Sequence, residues 1–240
     1  GIAFSSTINA NGIIAGLPYF CSQGYVAYAL TCMDSPELIS ISSIVETAKV
    51  YELEGLIDPM DNIKNHYLHL WSGTADTVVD QGAMKKVATM YEYMGATSMT
   101  TVFNYSSEHA WITNKYGNSC SYLGEPYVNN CGYDFSGEYL SRAWLSMRNN
   151  KNISNLAPFN STQGTKQMDR FYKFDQTKYG ASASGNSMAT TGYIYVPEQC
   201  GTVTTDGSYT TLTNAATKCH LHLNFHGCTQ QADLIGLKYI

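Results

Sequence analysis

Two apolar segments separated by a helical pattern stand out in the first half of the chain. Residues 67–71 (Tyr-Leu-His-Leu-Trp) predict a short buried strand that ends in a tight Gly-containing turn presenting Asp76. Apolar positions spaced three or four residues apart predict a helix from Ala83 onward. A second strand is predicted over residues 98–103, and it opens into a polar loop that carries His109.

The order strand, acid, helix, strand and histidine is the order in which α/β-hydrolases carry part of a Ser-His-Asp triad. Function in parallel α/β sheets lies at the carboxyl ends of the strands, so Asp76 and His109 are predicted to meet there. In a triad the carboxylate orients the imidazole and the imidazole moves the proton. Taken singly, each residue has a simpler interpretation, as a turn aspartate or a solvated loop histidine.

The rest of the first half alternates between strand, helix and loop patterns. A short apolar run bounded by glycines predicts a buried parallel strand, and amphipathic spacing predicts helices. The predicted elements are a strand at 12–16, a loop at 18–36, a helix at 39–56, a loop at 112–134, and a helix at 137–148 with Trp144 as its core anchor.

The composition changes after this helix. Residues 149–166 have the polar, Asn-, Ser-, Pro- and Gly-containing composition of a linker. Beyond it, residues 171–174 and 192–197 predict antiparallel strands, and residues 219–225 predict a strand that enters His226-Gly227-Cys228. Many α/β-hydrolases form half of the oxyanion hole from a backbone N–H just after such a strand.

This order differs from that of an ordinary hydrolase, in which the His-Gly segment precedes nucleophile, acid and base. The simplest explanation is a circularly permuted α/β-hydrolase with a mostly parallel sheet flanked by helices. Residues 1–240 would form one domain, in which 1–148 is the C-terminal half of the ordinary fold, 149–166 is the linker, and 167–240 supplies its N-terminal strands. Two tandem, incomplete domains are the alternative.

A nucleophile is missing from the pattern, because no Gly-x-Ser-x-Gly occurs. The nearest sequence surrounds Ser187, but a Thr-rich strand follows it where a helix is required. The Cys228 thiol is conceivable as a nucleophile, and is more simply half of a disulfide whose partner lies beyond Ile240. Residues 1–4 resemble the end of the nucleophile's helix. We therefore expect the serine upstream of Gly1 and a chain truncated at both ends.

Charge and hydropathy exclude several classes of partner. The 240 residues contain 14 Lys and Arg against 19 Asp and Glu, a net charge of −5, without a basic run. Nucleic acid is therefore excluded as a partner. No apolar run approaches the roughly 18 residues that a membrane-spanning helix needs. A surface rich in polar but uncharged residues is typical of an extracellular protein.

The cysteines and sequons point to the same compartment. Three local pairs around polar loops are typical of disulfides: Cys21 with Cys32, Cys120 with Cys131, and Cys200 with Cys219. A zinc site is disfavoured because the sequence has no CxxC. Candidate glycosylation sites at Asn104, Asn152 and Asn160 fit a secretory route.

Four histidines besides His109 and His226 have an alternative interpretation as metal ligands. His220 and His222 alternate onto one face of a predicted strand, which is a spacing that can bind metal. No carboxylate or cysteine completes that site, so an exposed or half-buried strand face is the favoured interpretation. His66 and His69, beside the first buried strand, receive the same interpretation.

Together these segments resemble the secreted fungal-type polyhydroxybutyrate depolymerases, which are circularly permuted α/β-hydrolases related to esterase and feruloyl esterase families. The matching segments, in the same order, are residues 15–21, 67–78, 131–134, 188–197 and 226–230. The resemblance implies that Asp76 is the triad acid, that His109 is the triad base and that the Cys228 amide donates to the oxyanion. It also implies that the three local cysteine pairs are bridged.

With this resemblance, the expectation is an extracellular serine esterase that cleaves poly(3-hydroxybutyrate)-type polyester and its oligomers through an acyl-enzyme. We expect a monomer that needs no metal or organic cofactor. A feruloyl or acetyl esterase acting on plant polysaccharide would share the same machinery. A catalytically inactive binding protein on the same scaffold is the alternative from a different class.

Overall fold

A computed structural model describes residues 1–147, 170–180, 188–206, 209–213 and 219–236. The chain forms two compact units, one of residues 1–161 with 226–240 and one of residues 162–225. The predicted linker at 149–166 lies outside the described residues. The assignment of residues 1–240 to a single permuted domain stays a prediction.

A three-stranded parallel sheet forms the centre of the first unit. Its strands lie in the order β1 (Ala10–Ile14), β2 (Tyr67–Trp71) and β3 (Ser98–Val102). All five residues of the central strand β2 are buried. Parallel strands covered on both faces are nearly continuous apolar runs, and the apolar residues around His69 made this segment recognisable in the sequence.

Helices cover both faces of the sheet. Within residues 1–147 they are α1 (Val26–Asp34), α2 (Ile41–Leu53), α3 (Gln81–Tyr93) and α4 (Phe135–Met147). Leu68 and Leu70 of β2 join Ala48 of α2 and Val87 of α3 in one core cluster. The alternate positions of β2 face α4, where Trp71 packs in a second cluster. This arrangement confirms a mostly parallel sheet flanked by helices.

The helix ends follow from local chemistry. Asp80 caps α3, because its Oδ1 accepts a hydrogen bond from Gly82 N at 2.6 Å. Gly95, with φ +89°, lies just past the end of the same helix in the left-handed conformation that glycine adopts without strain. Ser40 caps α2 by accepting from Ser43 N at 3.3 Å.

Two predicted loops contain secondary structure. The loop at 18–36 holds α1, in which Cys32 alone is buried, so no apolar stripe marked the helix in the sequence. The loop at 112–134 holds a small parallel sheet, ordered β4 (Trp111–Thr113), β6 (Val128–Asn130) and β5 (Asn118–Ser119). Strands of two or three residues are too short to show a period.

Two further predictions were wrong. Trp144 is 43% exposed rather than a core anchor, because α4 buries Phe135, Glu138 and Ala143 instead. The Glu138 carboxylate is tolerated there because the Arg142 guanidinium lies 3.0 Å from it. Residues 1–4 do not end a helix, since residues 3–7 form turns.

The second unit is built from antiparallel pairs. Strands β7 (Phe171–Asp175) and β8 (Thr191–Tyr195) pair as predicted, and β9 (Thr202–Asp206) pairs with β10 (Tyr209–Thr213). Residues 219–225 are exposed and are not assigned to a strand, which corrects the prediction that His220 and His222 share a strand face. Helix α5 (Ala232–Ile235) follows and belongs to the first unit.

The three local cysteine pairs are disulfides, as the resemblance implies. They join Cys21 to Cys32, Cys120 to Cys131, and Cys200 to Cys219, and they close loops of 11, 11 and 19 residues. Loops of this length correspond to about 3 kcal/mol of stabilisation each on the chain-entropy account. No helix among the described residues is long and apolar enough to cross a membrane.

His66 and His69 are fully buried, not exposed or half-buried as the sequence suggested. The two ring nitrogens of His69 lie 2.9 Å from the Tyr67 hydroxyl and 2.8 Å from the Tyr133 hydroxyl. A neutral imidazole has one donor and one acceptor, and hydroxyl groups can complement both. Burial, with a smaller effect of the Arg142 charge, lowers the pKa of His69 to about 4, and burial also lowers the pKa of His66.

We therefore expect the free energy of unfolding to decrease as the pH falls from 6.5 toward 4. The unfolded chain takes up the His69 proton near pH 6.5 and the folded chain only near pH 4, so folding loses up to about 3 kcal/mol in that window. Urea unfolding of wild type and His69→Gln at pH 7 and pH 4.5 measures this. The variant should lose less stability on acidification, and an equal loss in both proteins would contradict the assignment to His69.

Candidate active site

Asp76 lies in the turn after β2, and its carboxylate is held by its own backbone. Oδ1 accepts hydrogen bonds from Val78 N at 2.9 Å and from Val79 N at 2.8 Å. The side chain is only 2% exposed. These bonds fix the carboxylate so that Oδ2 points away from the turn and remains available to another residue.

His109 lies on the loop after the neighbouring strand β3, and it is the residue that Oδ2 meets. Its Nδ1 is 3.0 Å from Asp76 Oδ2. The side chain is 29% exposed, and Nε2 has no hydrogen-bond partner among the residues that the structure describes. An imidazole that donates through Nδ1 to a carboxylate presents Nε2 as a base. The two residues that sequence analysis paired are therefore in contact.

The turn that carries Asp76, here called the acid turn, and the loop that carries His109, here called the histidine loop, touch at Gly73. A Cβ on Gly73 would lie 2.0 Å from the Ser107 carbonyl oxygen, a distance that no side chain permits. Next to it, Thr74 N donates to the Tyr105 carbonyl at 2.8 Å. The absence of a side chain at residue 73 is therefore what allows the two segments to approach each other.

Glu108 joins the same two segments, and no sequence pattern marked it. Its Oε2 accepts from His109 N at 2.9 Å and from Thr77 N at 3.2 Å, and its Oε1 accepts from Thr77 Oγ1 at 2.8 Å. Its own N–H donates to the carbonyl of disulfide-bonded Cys120 at 2.9 Å. Partial burial opposes ionisation, but the bonds from His109 and Thr77 outweigh it and hold the pKa of Glu108 below its ordinary value.

An aromatic cluster lies at the carboxyl end of β2. Trp71, Tyr105 and Tyr133 pack against one another with ring centroids 4.8 to 5.6 Å apart. Trp71 is buried, and Tyr105 is the residue whose carbonyl holds Thr74. The cluster therefore supports the acid turn from the side of α4.

Cys228 lies in the exposed segment after His226, within the same compact unit as Asp76 and His109. Its thiol is free and exposed, and its N–H has no acceptor among the described residues. The next residue, Thr229, has φ +60°. A backbone donor without an internal acceptor is what an oxyanion hole requires, and the role of Cys228 stays a prediction.

The remaining predicted positions divide into two groups. Asn104 is exposed, whereas Asn152, Asn160 and Ser187 lie outside the described residues. Among the described residues, no three His, Cys, Asp or Glu side chains are grouped so as to hold a metal ion.

Comparison with known proteins identifies proteins to which this chain is similar. No protein-family profile matches the chain. It is 32% identical over 247 residues to a poly(3-hydroxybutyrate) depolymerase of Delftia acidovorans, an alignment that covers all of this chain and 44% of the relative. A polyhydroxybutyrate depolymerase of Talaromyces funiculosus is 29% identical over 250 residues, with 63% of that protein covered. The chain thus spans about half the length of the curated relatives that it matches.

Solved structures of PHB depolymerases are also similar to this chain. The fold superposes on PHB depolymerase from Penicillium funiculosum with a TM-score of 0.72. It also superposes with a TM-score of 0.73 on a serine-to-alanine variant of PHB depolymerase complexed with an R3HB trimer. Both are 26% identical to this chain, and all of this chain and 67% of each are covered. Over its whole length the chain is therefore similar to polyhydroxybutyrate depolymerases, in sequence and in fold. The α/β-hydrolase class that the sequence predicted is confirmed.

The close approach at Gly73 predicts that Gly73→Ala separates the acid turn from the histidine loop. A methyl group there overlaps backbone, and overpacking of this kind costs about 1–3 kcal/mol or more. Gly55→Ala is a matched control, because a Cβ there meets no atom within 4 Å. The variant should lose only the stability that a side chain costs at φ +71°, about 1 kcal/mol. Urea unfolding compares the two variants. A Gly73→Ala loss no larger than that of Gly55→Ala would contradict the contact.

Proposed function

We propose that the protein is a secreted serine esterase that hydrolyses the ester bonds of poly(3-hydroxybutyrate)-type polyester and its oligomers. The observation that carries the proposal is the Asp76–His109 pair, with Nδ1 bonded to the carboxylate and Nε2 directed away from it. The names of the relatives supply the substrate class, and the R3HB trimer bound to one solved relative supports an ester of 3-hydroxybutyrate.

The proposed reaction begins with proton transfer to His109. Nε2 takes the proton of a serine hydroxyl as the serine oxygen bonds to the ester carbonyl carbon, and we expect this serine upstream of Gly1. Asp76 stabilises the imidazolium that forms. The Cys228 N–H, with one N–H beside the serine, donates to the tetrahedral oxyanion.

Collapse of this intermediate breaks the ester bond. His109 gives its proton to the leaving alkoxide, so a hydroxyl-terminated chain departs and the acyl group stays on the serine. Water then attacks the acyl-enzyme while His109 accepts its proton. The serine is released as a hydroxyl and the carboxylic acid leaves, so no metal or organic cofactor is required.

The three disulfides support the proposed location. Disulfides persist in oxidising compartments and are rare in the cytosol. All six cysteines of the local pairs are bridged, and the Cys120–Cys131 bridge lies next to the loop that carries His109. Cys120–Cys131 holds the carbonyl to which Glu108 N–H is bonded. Secretion into an oxidising compartment is therefore consistent with a disulfide beside the histidine loop.

A serine-reactive fluorophosphonate tests the mechanism. We expect one serine adduct, located by mass spectrometry on the whole protein, and loss of that adduct in His109→Ala. Hydrolysis of a soluble 3-hydroxybutyrate oligomer should fall by at least about 10⁴-fold in His109→Ala and by about 10⁴-fold in Asp76→Asn. An adduct on Ser187 would overturn the predicted position of the nucleophile. A folded protein with no adduct and no hydrolysis would overturn the esterase.

Glu108 generates a separate prediction about kcat. Glu108→Ala removes the acceptor that joins His109 N to Thr77, so the imidazole should lose its fixed position and kcat should fall about 10- to 100-fold. Glu108→Gln keeps an acceptor oxygen for the two N–H groups and should retain most of kcat. Steady-state kinetics on the same oligomer measures both variants, and equal losses in the two would show that the negative charge, not the geometry, is what matters.

A further inference from the structure

Gln230 is a buried polar residue in an otherwise exposed segment. Residues 226–229 are exposed, whereas Gln230 is only 7% exposed. A buried amide is costly unless its donors and acceptor are hydrogen-bonded. Its burial therefore requires partners, and the neighbouring segments supply them.

Both ends of the Gln230 amide are used. Its Oε1 accepts from Gly227 N at 2.8 Å. Its Nε2 donates to the Tyr127 carbonyl at 2.8 Å and to the Pro126 carbonyl at 3.2 Å. The side chain thus ties the His226-Gly227-Cys228 segment to a distant part of the sequence that lies in the same compact unit.

The Tyr127 carbonyl also connects to the histidine loop. It accepts a second hydrogen bond, from Trp111 N, at 2.7 Å. Trp111 begins β4 two residues after His109, so one carbonyl oxygen joins Gln230 to the end of the loop that carries the proposed base. The segment with Cys228 and the segment with His109 therefore share an anchor.

The backbone after Cys228 is strained, and Gln230 is placed to hold it. Thr229 has φ +60°, and a β-branched residue rarely adopts this left-handed conformation. Such strain persists only where surrounding contacts enforce it. The bond from Gly227 N to Gln230 Oε1 closes the segment across Thr229. It occupies the Gly227 N–H and leaves the Cys228 N–H as a donor without an acceptor in the described structure.

We propose that Gln230 is a positioning residue for the oxyanion hole. It acts through Gly227 and does not touch the substrate: it holds the segment in the conformation that presents the Cys228 N–H, and it fixes that donor relative to the histidine loop. This proposal rests on the esterase function proposed above. It predicts that losing Gln230 weakens transition-state stabilisation more than ground-state binding.

Gln230→Met tests this, because methionine has a similar shape and makes none of the three hydrogen bonds. The matched control is Gln231→Met, since Gln231 is exposed and its side chain makes no capping bond to α5. With a short-chain p-nitrophenyl ester, kcat of Gln230→Met should fall about 100-fold with KM changed less than threefold. Gln231→Met should match wild type.

Hydrogen exchange provides a readout that does not depend on catalysis. Mass spectrometry of a peptide that covers residues 226–230 should show faster amide exchange in Gln230→Met than in wild type or Gln231→Met. If Gln230→Met does not fold, Gln230→Glu replaces it, because that variant keeps an acceptor for Gly227 N–H but places an oxygen against two carbonyls.

The outcomes separate this proposal from the proposed function. A folded Gln230→Met protein that keeps kcat within threefold of wild type, or that loses kcat and substrate binding equally, overturns the positioning role. A wild-type protein that does not hydrolyse the ester overturns the esterase function, and with it the oxyanion hole. In that case, an amide exchange rate of residues 226–230 that is unchanged in Gln230→Met would also overturn the claim that Gln230 holds this segment.

Discussion

The close approach of two backbone segments at Gly73 is the constraint on which the candidate site depends. Neighbouring parallel strands are about 4.8 Å apart, so the segments leaving β2 and β3 begin close together. A side chain at residue 73 would lie against the Ser107 carbonyl and push them apart. The Asp76–His109 bond, at 3.0 Å, tolerates little displacement, because N–H···O bonds span only about 2.7–3.2 Å. The missing side chain at residue 73 lets the acid and the base approach each other, and the hydrogen bonds of Thr74 and Glu108 hold them there.

Burial divides the histidines of the first unit into two kinds. His66 and His69 lie in the interior, where desolvation disfavours the charged form and lowers the pKa of each. They act as neutral partners of a carbonyl and of two hydroxyls. His109 is partly exposed and bonded to a carboxylate that can stabilise a positive charge on the ring. The same side chain is thus structural in one place and suited to proton transfer in another.

The sequence predicted the elements that a local hydrophobic pattern marks. It failed for features that depend on contacts between residues far apart in the sequence. Strand β2, helix α3 and the order of Asp76 and His109 follow from continuous apolar runs and helical spacing. Helix α1 was missed because it turns its apolar residues mostly to solvent, and Trp144 was misplaced because α4 buries a different face around the Glu138–Arg142 pair.

The positioning groups were missed for a similar reason, since a single Glu or Gln has no pattern of its own. Glu108 bonds to a residue 31 positions away, and Gln230 to carbonyls more than 100 positions away. Only the folded chain brings these partners together. The histidine loop is consequently held from two sides, by Glu108 at the acid turn and by Tyr127, shared with Gln230, at the start of β4.

The hydrogen bonds of Glu108 and Gln230 fix several polar groups around the site and leave two functional groups available. Gly227 N–H, His109 N–H and the Asp76 carboxylate all have partners within the protein. Among the described residues, His109 Nε2 and Cys228 N–H do not. Dipoles that are already fixed need no reorganisation when charge develops in a transition state, which is the main electrostatic advantage of an enzyme over water. His109 Nε2 and Cys228 N–H, which have no internal partner in the described structure, are the kinds of group that ester hydrolysis needs, a base and an oxyanion donor.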